Sequence, residues 1–243
     1  MRFVLLLATA FATSAAAQGG SWPTTHQQAA WATTTIEHGV APGTSLWFDG
    51  NWRRMGVGAE PQQVLLRPGV MRALAPGVKV SGGYAYVATA PYGELPTATP
   101  LREHRLWQQL QLAHAAGRFA FTHRYRWEQR WIAPVAGDGE TGRFEYQTRM
   151  RYMVRAQAPL LSLTYRARPV IAYAQEEALL PVGHGGAIGR FGQNRFLLGV
   201  GLPVAKRQRL DLGYMNLWNA LPARAANEVN HTLTVHWVIT SGK

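Results

Sequence analysis

The chain has 243 residues, 47% of them hydrophobic and 16% charged, with a net charge of +12 and no cysteine. No disulfide can staple it and no thiol can hold a metal or a lipid, so stability must come from size, closure or a surrounding membrane. The basic balance suits acidic head groups, anionic solutes or nucleic acid, and charge alone does not choose among them.

The first stretch, MRFVLLLATAFATSAAAQ, has one basic residue, Arg2, an apolar core over 3–12 and an A-x-A site at 15–17. That pattern predicts a secretory signal peptide cut before Gln18, leaving one domain over 18–243. Export argues against a nucleic-acid partner. No later segment approaches the roughly 18 consecutive apolar residues of a transmembrane helix. Instead, period-two alternation predicts strands at 28–38, 44–54, 62–73, 78–89, 102–115, 118–132, 143–157, 169–178, 191–203, 207–219 and 228–239. Short turn-like stretches such as LAPG and HAAGR separate some of them; APYGELPTATPL, APVAGDGETG and LPVGHGGAIG are longer.

Alternation is clearest in the middle of the chain. RFAFTHRYRWEQRWI, residues 118–132, sets Arg124, Arg126, Glu128 and Arg130 on one face and Phe119, Tyr125, Trp127 and Trp131 on the other. Glu103 and Arg105 oppose Leu106 and Leu110 before it; Glu145, Arg149, Arg151 and Arg155 oppose Tyr146, Met150 and Tyr152 after it. Near the end, Leu233, Val235 and Trp237 alternate with Thr232, Thr234 and His236. A fifteen-residue strand is about 50 Å long, against roughly 17–20 Å for a usual soluble strand. Tilted by about 45°, it crosses a bilayer, and Phe119 and Trp131 fall about 28 Å apart along the normal, close to the spacing of two aromatic girdles.

A soluble β-sandwich and a membrane barrel give the same alternation with opposite polarity. Strand length, the signal peptide, the density of rings on the apolar face and the alternation of short turns with long loops favour the barrel. A single transmembrane antiparallel β-barrel of about 12 strands is expected. Both ends of a bacterial barrel normally share one side, which asks for an even count; eleven segments are recognisable, so 12 requires a missed strand and 10 places segment 28–38 outside the wall.

REHRLWQQL (102–110), RYRWEQRW (124–131), FGQNRFLLGVG (191–201), LDLGYMNLW (210–218) and NEVNHTLTVHW (227–237) together resemble an outer-membrane β-barrel family of unknown function, DUF2490. The resemblance covers about 100–240 well and the first third loosely. It implies a barrel in the outer membrane and brings no activity with it. The tail VITSGK after Trp237 departs from the terminal aromatic common in outer-membrane strands and reads as a short periplasmic extension.

The candidate lumen-lining residues are Glu103, Arg105, Arg124, Arg126, Glu128, Arg130, Glu145, Arg149, Arg151 and Arg195. They read either as a salt-bridged filling or as a cation-lined lumen for anionic solutes. The candidate membrane-facing aromatics are Phe119, Tyr125, Trp127, Trp131, Tyr152 and Trp237. A one-residue slip of segment 118–132 would turn four arginines and Glu128 into lipid, at a cost on the order of 5–10 kcal/mol.

Enzymatic signals are sparse. No G-x-S-x-G is present, Asp is limited to three mature positions, and GHGGAIG lacks the Lys-Ser/Thr of a phosphate-binding loop. His184 lies on a predicted loop and His231 and His236 on opposite faces, so no metal site, cofactor or catalytic group is expected. Glu176 and Glu177 read as a solvated pair at a strand end.

The expectation is therefore a structural or transport-type barrel in the cell outer membrane. Its partners would be lipid and lipopolysaccharide, the barrel assembly machinery during biogenesis, and an anionic solute. A barrel enzyme acting on lipid or lipopolysaccharide is the alternative, with a soluble periplasmic β-sandwich third.

Overall fold

A computed structural model describes residues 22–137, 139–140, 143–183 and 192–242. The expected signal segment and residues 184–191, with His184, lie outside the described residues. The strands are β1 (Thr24–Ala41), β2 (Thr44–Met55), β3 (Glu60–Ala75), β4 (Val78–Thr89), β5 (Leu101–Ala116), β6 (Phe119–Ala136), β7 (Gly139–Glu140), β8 (Glu145–Tyr165), β9 (Arg168–Val182), β10 (Gln193–Ala205), β11 (Gln208–Leu221) and β12 (Ala226–Gly242). β7 pairs only with the end of β6; the other eleven form a wall that closes on itself. A closed ladder rules out a two-sheet sandwich and removes the exposed edges on which aggregation starts.

Every wall contact is antiparallel except one. β1 and β12 run parallel, with Thr24 opposite Asn227 and so on to Gly39 opposite Gly242. This is how an odd wall closes. Segment 28–38 belongs to the wall as part of β1, and among the described residues the wall closes without a further N-terminal strand: the parallel seam replaces the antiparallel closure that an even count would supply. Residues 238–242 are no extension either, because they continue β12 and keep their pairing to β1.

The two rims differ. At one, the connections 42–43, 76–77, 117–118, 166–167 and 206–207 are each two residues long. Gly43 and Gly77 follow prolines and take φ of +68° and +74°, the left-handed position of a Pro-Gly turn. The other rim carries the longer connections, among them 90–100 and 137–144, and two 3-10 turns, Gly56–Gly58 and Pro222–Arg224.

Pro68 interrupts β3: pairing to β4 skips from Leu66–Tyr86 to Gly69–Gly83. Trp107 of β5 uses this gap. Its Nε1 donates to the Tyr84 carbonyl at 3.2 Å, and its indole lies across Gly69 and Gly83, where a Cβ on either would fall within 3.0 Å of the ring. The absence of two side chains is what lets an indole fold into the barrel.

Candidate functional site

Period-two alternation carries the charged rows of β5, β6, β8 and β9 to one side of the wall, where neighbouring strands bring their ends together. Glu128 on β6 is fully buried. Its Oε1 accepts from Arg105 Nη1 at 3.2 Å and Arg151 Nη1 at 2.9 Å, and its Oε2 from Arg149 Nε and Nη2 at 2.9 and 2.5 Å. Glu177 on β9 accepts from Arg151 at 3.0 and 2.7 Å, from Arg124 at 2.6 Å and from Arg195 at 3.3 Å. Glu103 takes Arg105 Nε at 2.8 Å and a two-pronged bond from Arg130 at 2.6 and 2.9 Å. Arg105 and Arg151 each bridge two carboxylates, so Glu103, Glu128 and Glu177 form one continuous chain across four strands. Planar guanidiniums with several fixed donors make such sharing possible.

Beside this chain the middle of the barrel is filled. Arg126 is 2% exposed and lies over the Trp107 ring at 4.9 Å; it donates twice to Gln109 at 3.0 and 2.6 Å. Trp47 meets Trp107 edge-on at 5.3 Å, and Arg67 is bonded to Asp49 at 2.9 Å. Towards the tight-turn rim, Asp211 binds Arg155 at 2.8 Å and Arg209 at 2.6 and 3.1 Å, with Arg155 stacked 3.8 Å over Tyr173.

Nine of the ten charged candidates enter this network. Glu145 does not: it is exposed at the start of β8, and its carboxylate accepts from Gln147 at 2.7 Å. The segment 143–157 alternates as expected, but its first residues stand at the rim rather than inside. The aromatic candidates occupy the opposite set of alternate positions. Tyr125 and Trp237 are exposed; Phe119, Trp131 and Tyr152 are half-buried beside neighbouring rings, and Trp127 is half-buried.

Several participants were absent from the candidate set: Arg53, Asp49, Arg67, Asp211 and above all Glu177. β9 runs on to Val182, so Glu176 and Glu177 sit inside the strand rather than at its end. Alternation read through that extension separates them: Glu177 joins the arginines, and Glu176 accepts from Asn194 on the other face.

At the long-loop rim the connection 90–100 straps inward. Gln27 Oε1 accepts from the Glu94 N–H at 3.1 Å, and Arg224 donates to the Pro96 carbonyl. Tyr92 packs on the cluster of Trp31, Met55, Met215 and Leu217. Burial pushes the Tyr92 phenol up to about 12, with Glu228 adding to the shift. Beneath the strap is a cavity of about 120 Å³ lined by Arg53, Arg105, Arg130, Arg149, Arg151 and Arg195. Arg53 stacks 3.8 Å over Trp31, whose Nε1 is held by Gln62 at 2.9 Å.

Fold and interior together define a closed β-barrel with an internal ion-pair network and a polar cavity near one rim. A family model described as a protein of unknown function, DUF2490, matches residues 28–229, and the chain belongs to that family. Among curated proteins and among solved structures, nothing matches the chain.

Proposed function

We propose that this is an integral outer-membrane β-barrel that binds anionic solutes inside its long-loop mouth and does not let them diffuse freely through. What supports the membrane reading is the outward face. Trp52, Leu66, Leu106, Leu198, Leu233 and Val235 lie on five different wall strands, β2, β3, β5, β10 and β12, and are each between 44% and 55% exposed. In water so wide an apolar surface would associate; in lipid it is solvated. Tyrosine–histidine hydrogen bonds stud the same face, Tyr84–His104 and Tyr214–His231 toward the long-loop rim and His123–Tyr152 toward the other. Lipid and lipopolysaccharide are then the surrounding partners, reached with the help of the assembly machinery after export.

The observation that carries the functional reading is the filled middle. Trp107, Arg126 and Glu128 are each 2% exposed or less at mid-strand height, so a solute entering the mouth meets packed side chains. The purified protein should change its electrophoretic mobility on heating and stay with membranes through a high-salt wash. A single fixed mobility with full extraction by salt would refute the membrane barrel. In planar bilayers it should pass no steady current, and an open, ohmic conductance would refute the closed middle.

A further inference from the structure

The cavity under the Tyr92 strap has more positive charge than its own carboxylates neutralise. Among the described residues, the six arginines lining it, with Arg124, Arg126 and Arg67 behind them, are set against Glu103, Glu128, Glu177 and Asp49, and Glu228 lies beyond Asn230. Nine guanidiniums against five carboxylates leave a surplus of four positive charges in a region largely shielded from water. Uncompensated buried charge is expensive, and a bound anion relieves it.

The donors point the same way. The Nε atoms of Arg53 and Arg195 are buried and have no hydrogen-bond partner among the described residues. Both guanidiniums lie near the same indole, at 3.8 and 5.3 Å from Trp31, and both residues line the cavity. Among the described residues Arg53 makes no ion pair: its Nη atoms are held by the amide oxygens of Gln63 at 2.6 Å and Asn51 at 3.4 Å. A volume of about 120 Å³ has room for a few heavy atoms and falls below the roughly 300–1,000 Å³ of sites for drug-sized ligands.

We infer that this cavity is a binding site for a small, multiply charged oxyanion of the phosphate type, held between Arg53 and Arg195, with Tyr92 closing over it. Tetrahedral oxyanions accept several guanidinium donors at once, and a divalent one offsets the surplus better than a carboxylate does. The inference rests on the barrel interior proposed above, but its failure reads out separately from failure of the membrane reading.

The test is calorimetric titration of the detergent-purified mature chain with inorganic phosphate, and with acetate as the monovalent comparator. Phosphate should bind at least ten-fold more tightly than acetate. Arg53→Gln combined with Arg195→Gln should weaken phosphate at least ten-fold, whereas Arg166→Gln at the opposite rim should leave it unchanged. Tyr92→Ala should speed phosphate release. Heat-dependent mobility of each variant shows whether the barrel has formed; if the double variant does not form, Arg53→Lys keeps the charge while moving its donors and should still weaken binding. Glycerol 3-phosphate as a competitor separates the sources: stronger binding than phosphate assigns an ester head group, weaker binding the free ion. No phosphate binding at millimolar concentration by a barrel of normal mobility, or binding unaffected by the arginine changes, would overturn the site.

Discussion

The Trp107 indole occupies the space that a Cβ on Gly69 would need, leaving 2.5 Å to its Cζ2. A side chain at Gly69 and the indole at 107 are therefore mutually exclusive. Gly69→Val should block formation of the heat-modifiable form, and pairing it with Trp107→Ala should restore part of the yield. Trp107→Ala alone should lower stability by about 3–5 kcal/mol in urea unfolding. Together with Trp47→Ala it should open a steady current across bilayers, and a folded but silent double variant would show that the two tryptophans are not the plug.

Glu128 and Glu145 are both carboxylates of the alternating rows, yet only the first is enclosed. Glu128→Gln would leave Arg105, Arg149 and Arg151 short of their shared acceptor and should cost about 3–5 kcal/mol. Glu145→Gln should change unfolding by less than about 0.5 kcal/mol, as expected of an exposed side chain. Equal effects of the two would mean that the ion-pair chain contributes nothing beyond surface charge.

On the outward face, depth should decide the effect of charge. Leu66 lies near the middle of β3, and Leu161 stands close to the tight-turn end of β8. In lipid vesicles, Leu66→Arg should destabilise by about 2–4 kcal/mol and Leu161→Arg by about 0–1 kcal/mol. A pair of small, equal losses would argue that the apolar band does not face hydrocarbon.

The seam offers a direct check of register. His38 and Ser241 face one another across it, with His38 Nδ1 and Ser241 Oγ 2.9 Å apart. His38→Cys with Ser241→Cys should oxidise to a disulfide that closes almost the whole chain, slowing unfolding and stabilising by about 5 kcal/mol in the loop-entropy picture. Thr34→Cys with Ser241→Cys, four residues out of register, should remain reduced. The opposite pattern would mean that β1 and β12 meet differently.

Much of the wall was legible because period two is a local property: each of the eleven recognised segments lies on one wall strand, overrunning it by at most a few residues at an end, and the rows through Arg126 and Glu128 kept their faces. What alternation cannot express is direction and partnership. A parallel contact between β1 and β12 leaves no mark on either strand by itself, and only an all-antiparallel wall demands an even count. Glu177 reads as half of a solvated pair because its neighbour is also an acid, and two adjacent charges resemble a strand end. Arg53 and Trp31 lie on strands whose charges are too few to make a row, and their meeting depends on register, which a single strand does not carry. Tyr92 sits in a connection, where alternation says nothing.

The parallel seam also bears on assembly order. Each antiparallel contact between consecutive strands can form as a hairpin while the rest of the chain is absent, but Thr24 and its partner Asn227 are separated by nearly the full length of the chain. Loop closure over such a distance is slow, and no subset of neighbouring strands contains the contact. The open sheet must therefore carry its charged face, arginines and glutamates already aligned, until the final strand is laid down, and the last ladder to zip makes the sheet a tube. An unfinished molecule would be distinguished by two free edges, one at each end of its sequence, waiting for one another.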